Sequence, residues 1–261
     1  MSRDMAAKSM WIQRFHGAAE GGARLVCFPY AGGSATYYFP LSAALAPDVE
    51  VLAVQYPGRQ ERRRERRVDN VPDLAAGVAD ALLDHSDRPF AFFGHSMGAV
   101  VAFETARRLQ SAGLRTPVHL FASGRRAPSC RRSDRIHQRD DAGIVAELLR
   151  MGATSPQLLQ DEEVRASIVA TVRADYRAIE TYTAEPGATV RCPVTVLVGD
   201  ADPQTSVDEA AAWRHHTAGP CDVKVFPGGH FYLNTARAEV IDTIRSTLSE
   251  MSVRLHGQEV V

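Results

Sequence analysis

A serine lies between two glycines in the run Gly94-His95-Ser96-Met97-Gly98, a spacing that suits a nucleophile. An apolar run, Phe90-Ala91-Phe92-Phe93, precedes it, and a helical pattern follows. A serine on a tight strand-to-helix turn has its hydroxyl pushed out above a sheet. Small neighbours let the backbone turn sharply and pass close to the flanking elements. The N-terminus of the following helix favours negative charge beside that hydroxyl. The chemistry this permits is attack on an acyl carbonyl through an acyl-serine.

A serine hydroxyl is a weak nucleophile and needs a base. His230, in Gly228-Gly229-His230-Phe231, lies between an apolar run and the last helical pattern, where a base belongs. Of the other histidines, His95 sits inside the serine turn as a packing or orienting residue. His215 and His216 fall at the end of a predicted helix and are expected to face solvent, and His16, His119 and His137 have no strand-end context. The acid that orients the base should follow a strand. Val194–Val198 runs into Gly199-Asp200-Ala201-Asp202-Pro203, and Asp202 is preferred, with Asp200 open as the alternative. A developing oxyanion needs N–H donors. Met97, after the nucleophile, is one candidate. Ala31, in Phe28-Pro29-Tyr30-Ala31-Gly32-Gly33-Ser34, is the other, unless that loop is an ordinary glycine turn.

These residues need a scaffold, and the chain alternates short apolar runs with helical patterns. Strands are expected at Arg24–Phe28, Val51–Val54, Phe90–Phe93, Val118–Ala122, Val194–Val198 and Val223–Phe226, each buried on both faces. Pro72 and Asp73 open a helix with Leu74, Val78 and Leu82 on one face. Another runs from Met97 to about Ala112 and stops at Gly113. Ser206-Val-Asp-Glu209 has capping-box spacing, and Val240, Ile244 and Leu248 mark a final helix. The expected fold class is α/β: an α/β-hydrolase with a mostly parallel twisted sheet flanked by helices. The 261 residues suit one such domain, 1–261. Within it, 125–190 breaks the alternation. An arginine-rich stretch, Gly124–Asp141, leads into the patterns Ile144/Leu148 and Val164/Ile168/Val172/Tyr176/Ile179. This insertion reads as a helical lid, or else as a helical decoration over the core.

Composition narrows the partners. A net charge of -1 gives no bulk attraction to nucleic acid or anionic membrane, and no apolar run is long enough to span a bilayer. The N-terminal MSRDMAAKSMWIQRF lacks an apolar signal core, so a cytoplasmic location is expected. Four separated cysteines, Cys27, Cys130, Cys192 and Cys221, read as free thiols rather than a disulfide framework or zinc site. No cofactor and no metal is expected. The sharpest charge run is Arg59–Arg67, which includes Arg62–Arg67; it is either a solvated loop with Glu61 and Glu65 interleaved or a steering surface for an acidic partner.

In this order, CFPYAGGSATYY, VQYPGRQER, FGHSMGAVVAFE, LVGDADP and PGGHFYL resemble the stand-alone (type II) thioesterases that accompany modular polyketide and nonribosomal peptide synthases. The similarity runs from about Trp11 to Leu248. It implies hydrolysis of acyl groups from the phosphopantetheine arm of acyl carrier proteins, clearing aberrant or stalled chains. It also implies that Ser96, Asp202 and His230 form the triad, that Ala31 and Met97 give the oxyanion amides, and that a helical lid occupies the insertion. Chain-terminating thioesterase domains commonly carry their acid after the strand that follows the nucleophile helix. Here that strand ends Ala122-Ser123-Gly124, without one. Acyl carrier protein domains are the implied partner, and a monomer is expected. The rival readings are a general carboxylesterase or acyltransferase on small molecules and a catalytically silent binding protein.

Overall fold

Among the described residues, seven strands form one sheet in the order β1-β3-β2-β4-β5-β6-β7. They are β1 (Ile12–Arg14), β2 (Ala23–Phe28), β3 (Val49–Val54), β4 (Phe90–His95), β5 (Leu120–Ser123), β6 (Val194–Gly199) and β7 (Cys221–Phe226). The computed structural model describes residues 10–19 and 22–258, with side chains described as far as residue 251. The first nine residues, and with them most of the N-terminal segment read for targeting, lie outside the described residues. β1 pairs antiparallel with β3, and every other pairing is parallel.

Alternation along the strands divides the core in two. In β2, Val26 and Phe28 pack with Val78, Val101 and Phe103 on one face. Leu25 and Cys27 pack with Tyr38, Ile241 and Ile244 on the other. The helices on the first face are α2 (Val71–Leu82) and α3 (Met97–Ser111); those on the second are α1 (Phe39–Leu45) and α7 (Arg237–Gln258). Both start and stop signals hold. Pro72 and Asp73 lie in the first turn of α2, where the Asn70 side chain also accepts from the Asp73 N–H, and Gly113 follows α3 at φ 67°. The Ser206–Glu209 capping box is present and opens α6 (Val207–Ala211).

Two strand expectations change. β1 has no counterpart among the expected strands, since three residues carry too little pattern to read. β7 is not buried on both faces: it is the sheet edge, Val225 is 49% exposed, and Asp222 and Lys224 face solvent. Such edge charges discourage pairing with another chain.

Between β5 and β6 lie two helices, α4 (Asp141–Met151) and α5 (Glu162–Thr181). Ile144 and Leu148 from the first pack on Val169 and Val172 from the second. Asp140 and Asp161 cap the two N-termini through Gly143 N–H and Val164 N–H. The apolar stripe read along α5 begins later than expected, because Val164 is exposed. The stripe is also interrupted by Asp175, which is buried.

Candidate active site

Ser96 links β4 to α3 with φ 55° and ψ −119°, a conformation side chains rarely adopt. Its N–H donates to Ser123 O on β5 at 2.8 Å, and its carbonyl accepts from Ala99 N–H at 3.0 Å. The glycines on either side are required by contact. A Cβ on Gly98 would overlap the carbonyl of Phe28, and one on Gly94 would overlap the backbone of Gly98 and Ala99. β4 and α3 can therefore approach only with hydrogen at both positions, and the close approach is what lifts Ser96 out of the sheet.

His230 follows β7 and is buried beside the serine turn. Its Nδ1 lies 2.9 Å from Asp202 Oδ2 and 3.1 Å from Oδ1. Asp202 Oδ1 also accepts from Gln204 N–H at 2.7 Å, and its side chain is fully shielded. A carboxylate there favours a proton on Nδ1 and leaves Nε2 as the acceptor. Asp200 points elsewhere. It is exposed, and its Oδ1 accepts from Gly228 N–H at 2.9 Å, bracing the turn that carries His230.

Ser96, Met97, Ala31 and His230 line one cavity, together with Tyr30, Phe231, Arg125 and Gln204. Leu148, Met151, Ala153, Tyr176 and Ile179 of the helical segment between β5 and β6 complete its wall. The structure thus brings all five sequence-nominated residues together: four line the cavity, and Asp202 stands behind His230.

Several contributors were not read from the sequence. The Asp175 carboxylate accepts the Gly32 N–H at 2.6 Å and pairs with the Arg59 guanidinium, whose Nε donates to Gly33 O at 3.0 Å. The signal for it was a carboxylate on the apolar stripe of a helix. Ser123 Oγ lies 2.9 Å from His95 Nδ1 and 2.6 Å from Tyr232 Oη. Burial, and then the neighbouring His230, hold the His95 imidazole well below its ordinary pKa, so it packs as a neutral ring.

Two expectations about basic residues are corrected. His216 is buried rather than solvent-facing. It accepts Ser129 N–H on Nε2 at 3.2 Å, which puts its proton on Nδ1 toward Ala188 O, 2.9 Å away. His215 is exposed as read. The run Arg59–Arg67 is not simply a solvated loop. Arg59 and Arg62 are buried, Arg62 Nη1 donates to Gln55 O at 2.7 Å, and Arg67 Nε donates to Thr171 Oγ1 at 3.0 Å. Only Arg63, Arg64 and Arg66 of that run's arginines are exposed.

A serine raised between strand and helix on a mostly parallel sheet, with a histidine after the last strand backed by a carboxylate after the one before, defines an α/β-hydrolase. The thioesterase domain family matches residues 23–248. The chain belongs to that family of hydrolases acting on thioesters. It is 50% identical over 240 residues to a probable cadicidin biosynthesis thioesterase of Streptomyces griseus, covering 92% of this chain. It spans 65% of that relative's length. It is 46% identical to thioesterase PikA5 of Streptomyces venezuelae, covering 92% of this chain and 85% of that one. Among solved structures it is similar to the type II thioesterase BorB from the borrelidin biosynthetic cluster. That match has a TM-score of 0.85 at 44% identity and covers 92% of this chain and 98% of that one. YbtT, the type II thioesterase of the yersiniabactin pathway, matches with a TM-score of 0.79 at 34% identity, over 90% and 97% of the two chains. No described helix is long and apolar enough to cross a membrane.

Proposed function

We propose that this chain is a stand-alone thioesterase that hydrolyses acyl groups from the phosphopantetheine arm of acyl carrier protein domains, clearing aberrant or stalled chains from a polyketide or hybrid nonribosomal peptide synthase. The observation that carries the chemistry is the pairing of His230 Nδ1 with Asp202, behind a cavity that His230 shares with the strained Ser96. In this reading Ser96 Oγ attacks the thioester carbonyl while His230 Nε2 takes its proton. The N–H groups of Ala31 and Met97 receive the oxyanion. The carbon–sulfur bond breaks and the sulfur, a good leaving group that needs little acid assistance, takes the proton held by His230 so that the arm departs as its thiol. Water then attacks the acyl-serine, giving up a proton to His230, and Ser96 leaves with that proton restored.

The helical segment 125–190 acts as the lid of this site. Its apolar residues Leu148, Met151 and Ile179 offer the acyl chain a dry wall.

The test is a hydrolysis panel of acyl-carrier thioesters of varied length, with matched coenzyme A thioesters and simple esters as controls. S96A is expected to lower kcat on the order of 10⁴-fold or more. Wild-type turnover by S96A would overturn the nucleophile assignment. Faster turnover of soluble esters than of carrier thioesters would favour a general esterase.

A further inference from the structure

Arg125 follows β5 and stands where two cavities meet. Its carbonyl accepts from the indole Nε1 of buried Trp213 at 2.8 Å, which fixes the main chain. Arg125 lines the Ser96 cavity and also a second one, lined by Arg126, Arg131, Arg132 and Glu180. Its Nε is buried without a hydrogen-bond partner, and so is the Nε of Arg126. Burial, and then the adjacent Arg126, push the Arg125 guanidinium down to about 9.

Two of the nearby carboxylates are already engaged, and the third, Asp134, faces solvent. Glu180 accepts the N–H groups of Ile136 at 2.8 Å and His137 at 3.1 Å, and it also pairs with the His137 ring. Glu209 holds Arg132 through two hydrogen bonds of 3.0 and 2.6 Å. Asp134 reaches Arg126 only at 3.5 Å and is 41% exposed. Arg125 is itself only half-buried, but a guanidinium Nε shut off from water without an acceptor is costly, and an anion placed against it removes that cost. Its planar fork matches carboxylate and phosphate oxygens.

We propose that Arg125, backed by Arg126 and with Arg131 on the wall of the second cavity, is an anion-binding subsite where the two cavities meet, taking a carboxylate or phosphate carried by the thioester substrate. This rests on the thioesterase reading. The anion has two sources, a carboxylate on the acyl chain or the phosphate of the pantetheine arm. In both cases the subsite sets which thioesters are held with their carbonyl at Ser96.

The experiment compares kcat/KM for two substrate pairs at low salt. One pair is succinyl and butyryl N-acetylcysteamine; the other is butyryl phosphopantetheine and butyryl pantetheine. The wild type is expected to prefer the anionic member of one pair, and R125Q to lower that preference about tenfold. A change in the first ratio assigns the acyl carboxylate, and a change in the second assigns the arm phosphate. Unchanged ratios in an R125Q protein that still labels with a fluorophosphonate overturn the subsite. If R125Q fails to fold, exposed Arg131 carries the test: R131Q lowers the same ratio about threefold, or the subsite is wrong. If butyryl thioesters are not hydrolysed by the wild type, the thioesterase reading itself fails, which is a separate result.

Discussion

The carboxylate of Asp175 accepts the backbone N–H of Gly32 at 2.6 Å, joining helix α5 to the turn that carries Ala31. Gly33 N–H donates to Tyr30 O at 2.9 Å, so Tyr30–Gly33 is a β-turn, and Gly32 takes φ 81° at its third position. That is the type II pattern, whose central peptide is flipped relative to type I. The N–H of that flipped peptide is the one Asp175 holds. Val172 packs against the same glycine, because a Cβ there would come within 2.7 Å of its Cγ2. Arg59 ties the next carbonyl and the Asp175 carboxylate together. The helix over the site therefore also fixes the turn expected to present the Ala31 N–H.

Through these contacts Asp175 is a positioning residue, and its removal should reach catalysis through the turn. D175A leaves Arg59 buried and unpaired, for a stability loss of about 3–5 kcal/mol. D175N keeps an acceptor for Gly32 and should be milder. For D175N, kcat is expected to fall about tenfold or more with KM little changed, and fluorophosphonate labelling of Ser96 to slow in parallel, well below the unfolding temperature. A lowered Tm with wild-type kcat would mean that Asp175 only holds the fold.

Asp202 and Asp200 should separate cleanly. D202N preserves shape but offers His230 an amide in place of a carboxylate, disturbing its tautomer, and a kcat loss on the order of 10³–10⁴ is expected. D200N loses only the charge that braces Gly228 N–H, so it should lower Tm slightly and keep kcat within about twofold. Steady-state kinetics of both variants on one butyryl thioester decides the matter, and a reversed ranking would exchange their roles.

What the sequence displayed and what it hid follow a physical division. Ser96, His230 and the two candidate aspartates lie at strand ends, where local pattern and glycine spacing announce them. Helices with a stripe and a cap, such as Val71–Leu82, were legible for the same reason. Contacts made across the fold were not. Asp175 meets Gly32 from 143 positions away, and His216 is buried by Ser129 and Ala188, partners no local window contains. The choice between Asp200 and Asp202 depended on which side chain the turn after Gly199 aims at His230, a question of three-dimensional direction. β1 and the exposed face of β7 belong to the sheet's edges, where neighbours rather than sequence decide burial.

Buried histidines should make the fold acid-sensitive. Burial lowers the pKa of His119 from 6.5 to about 4, partly opposed by Asp222, and likewise lowers those of His95 and His216. The unfolded chain takes up protons at these sites first as pH falls through about 6.5. Their contribution is therefore complete above that value and lost progressively toward the folded-state pKa values. At pH 5, His119 alone should account for about 2 kcal/mol. Urea unfolding at pH 7.5 and 5.0 checks this, and H119N should reduce the pH dependence. An equal pH dependence in H119N would show that this ring titrates alike in both states.

The arginine run should divide into structural and surface members. Arg62 donates to Gln55 O, pairs with Glu65, and lies 4.4 Å from the centre of the Trp11 ring. R62Q should cost about 2 kcal/mol, since the Gln55 carbonyl and the indole face lose their partner together. Exposed Arg63, Arg64 and Arg66 make no comparable set of contacts, so R63Q/R64Q/R66Q should leave Tm essentially unchanged. These three are the charges free to steer an acidic carrier. Their joint neutralisation should lower kcat/KM for a carrier-bound butyryl thioester about threefold at low salt and flatten its salt dependence. The pantetheine-bound thioester, which has no carrier surface to steer, should be unaffected. An unchanged salt slope for the carrier substrate would remove this loop from docking and leave the run with only the structural duties of Arg59, Arg62 and Arg67.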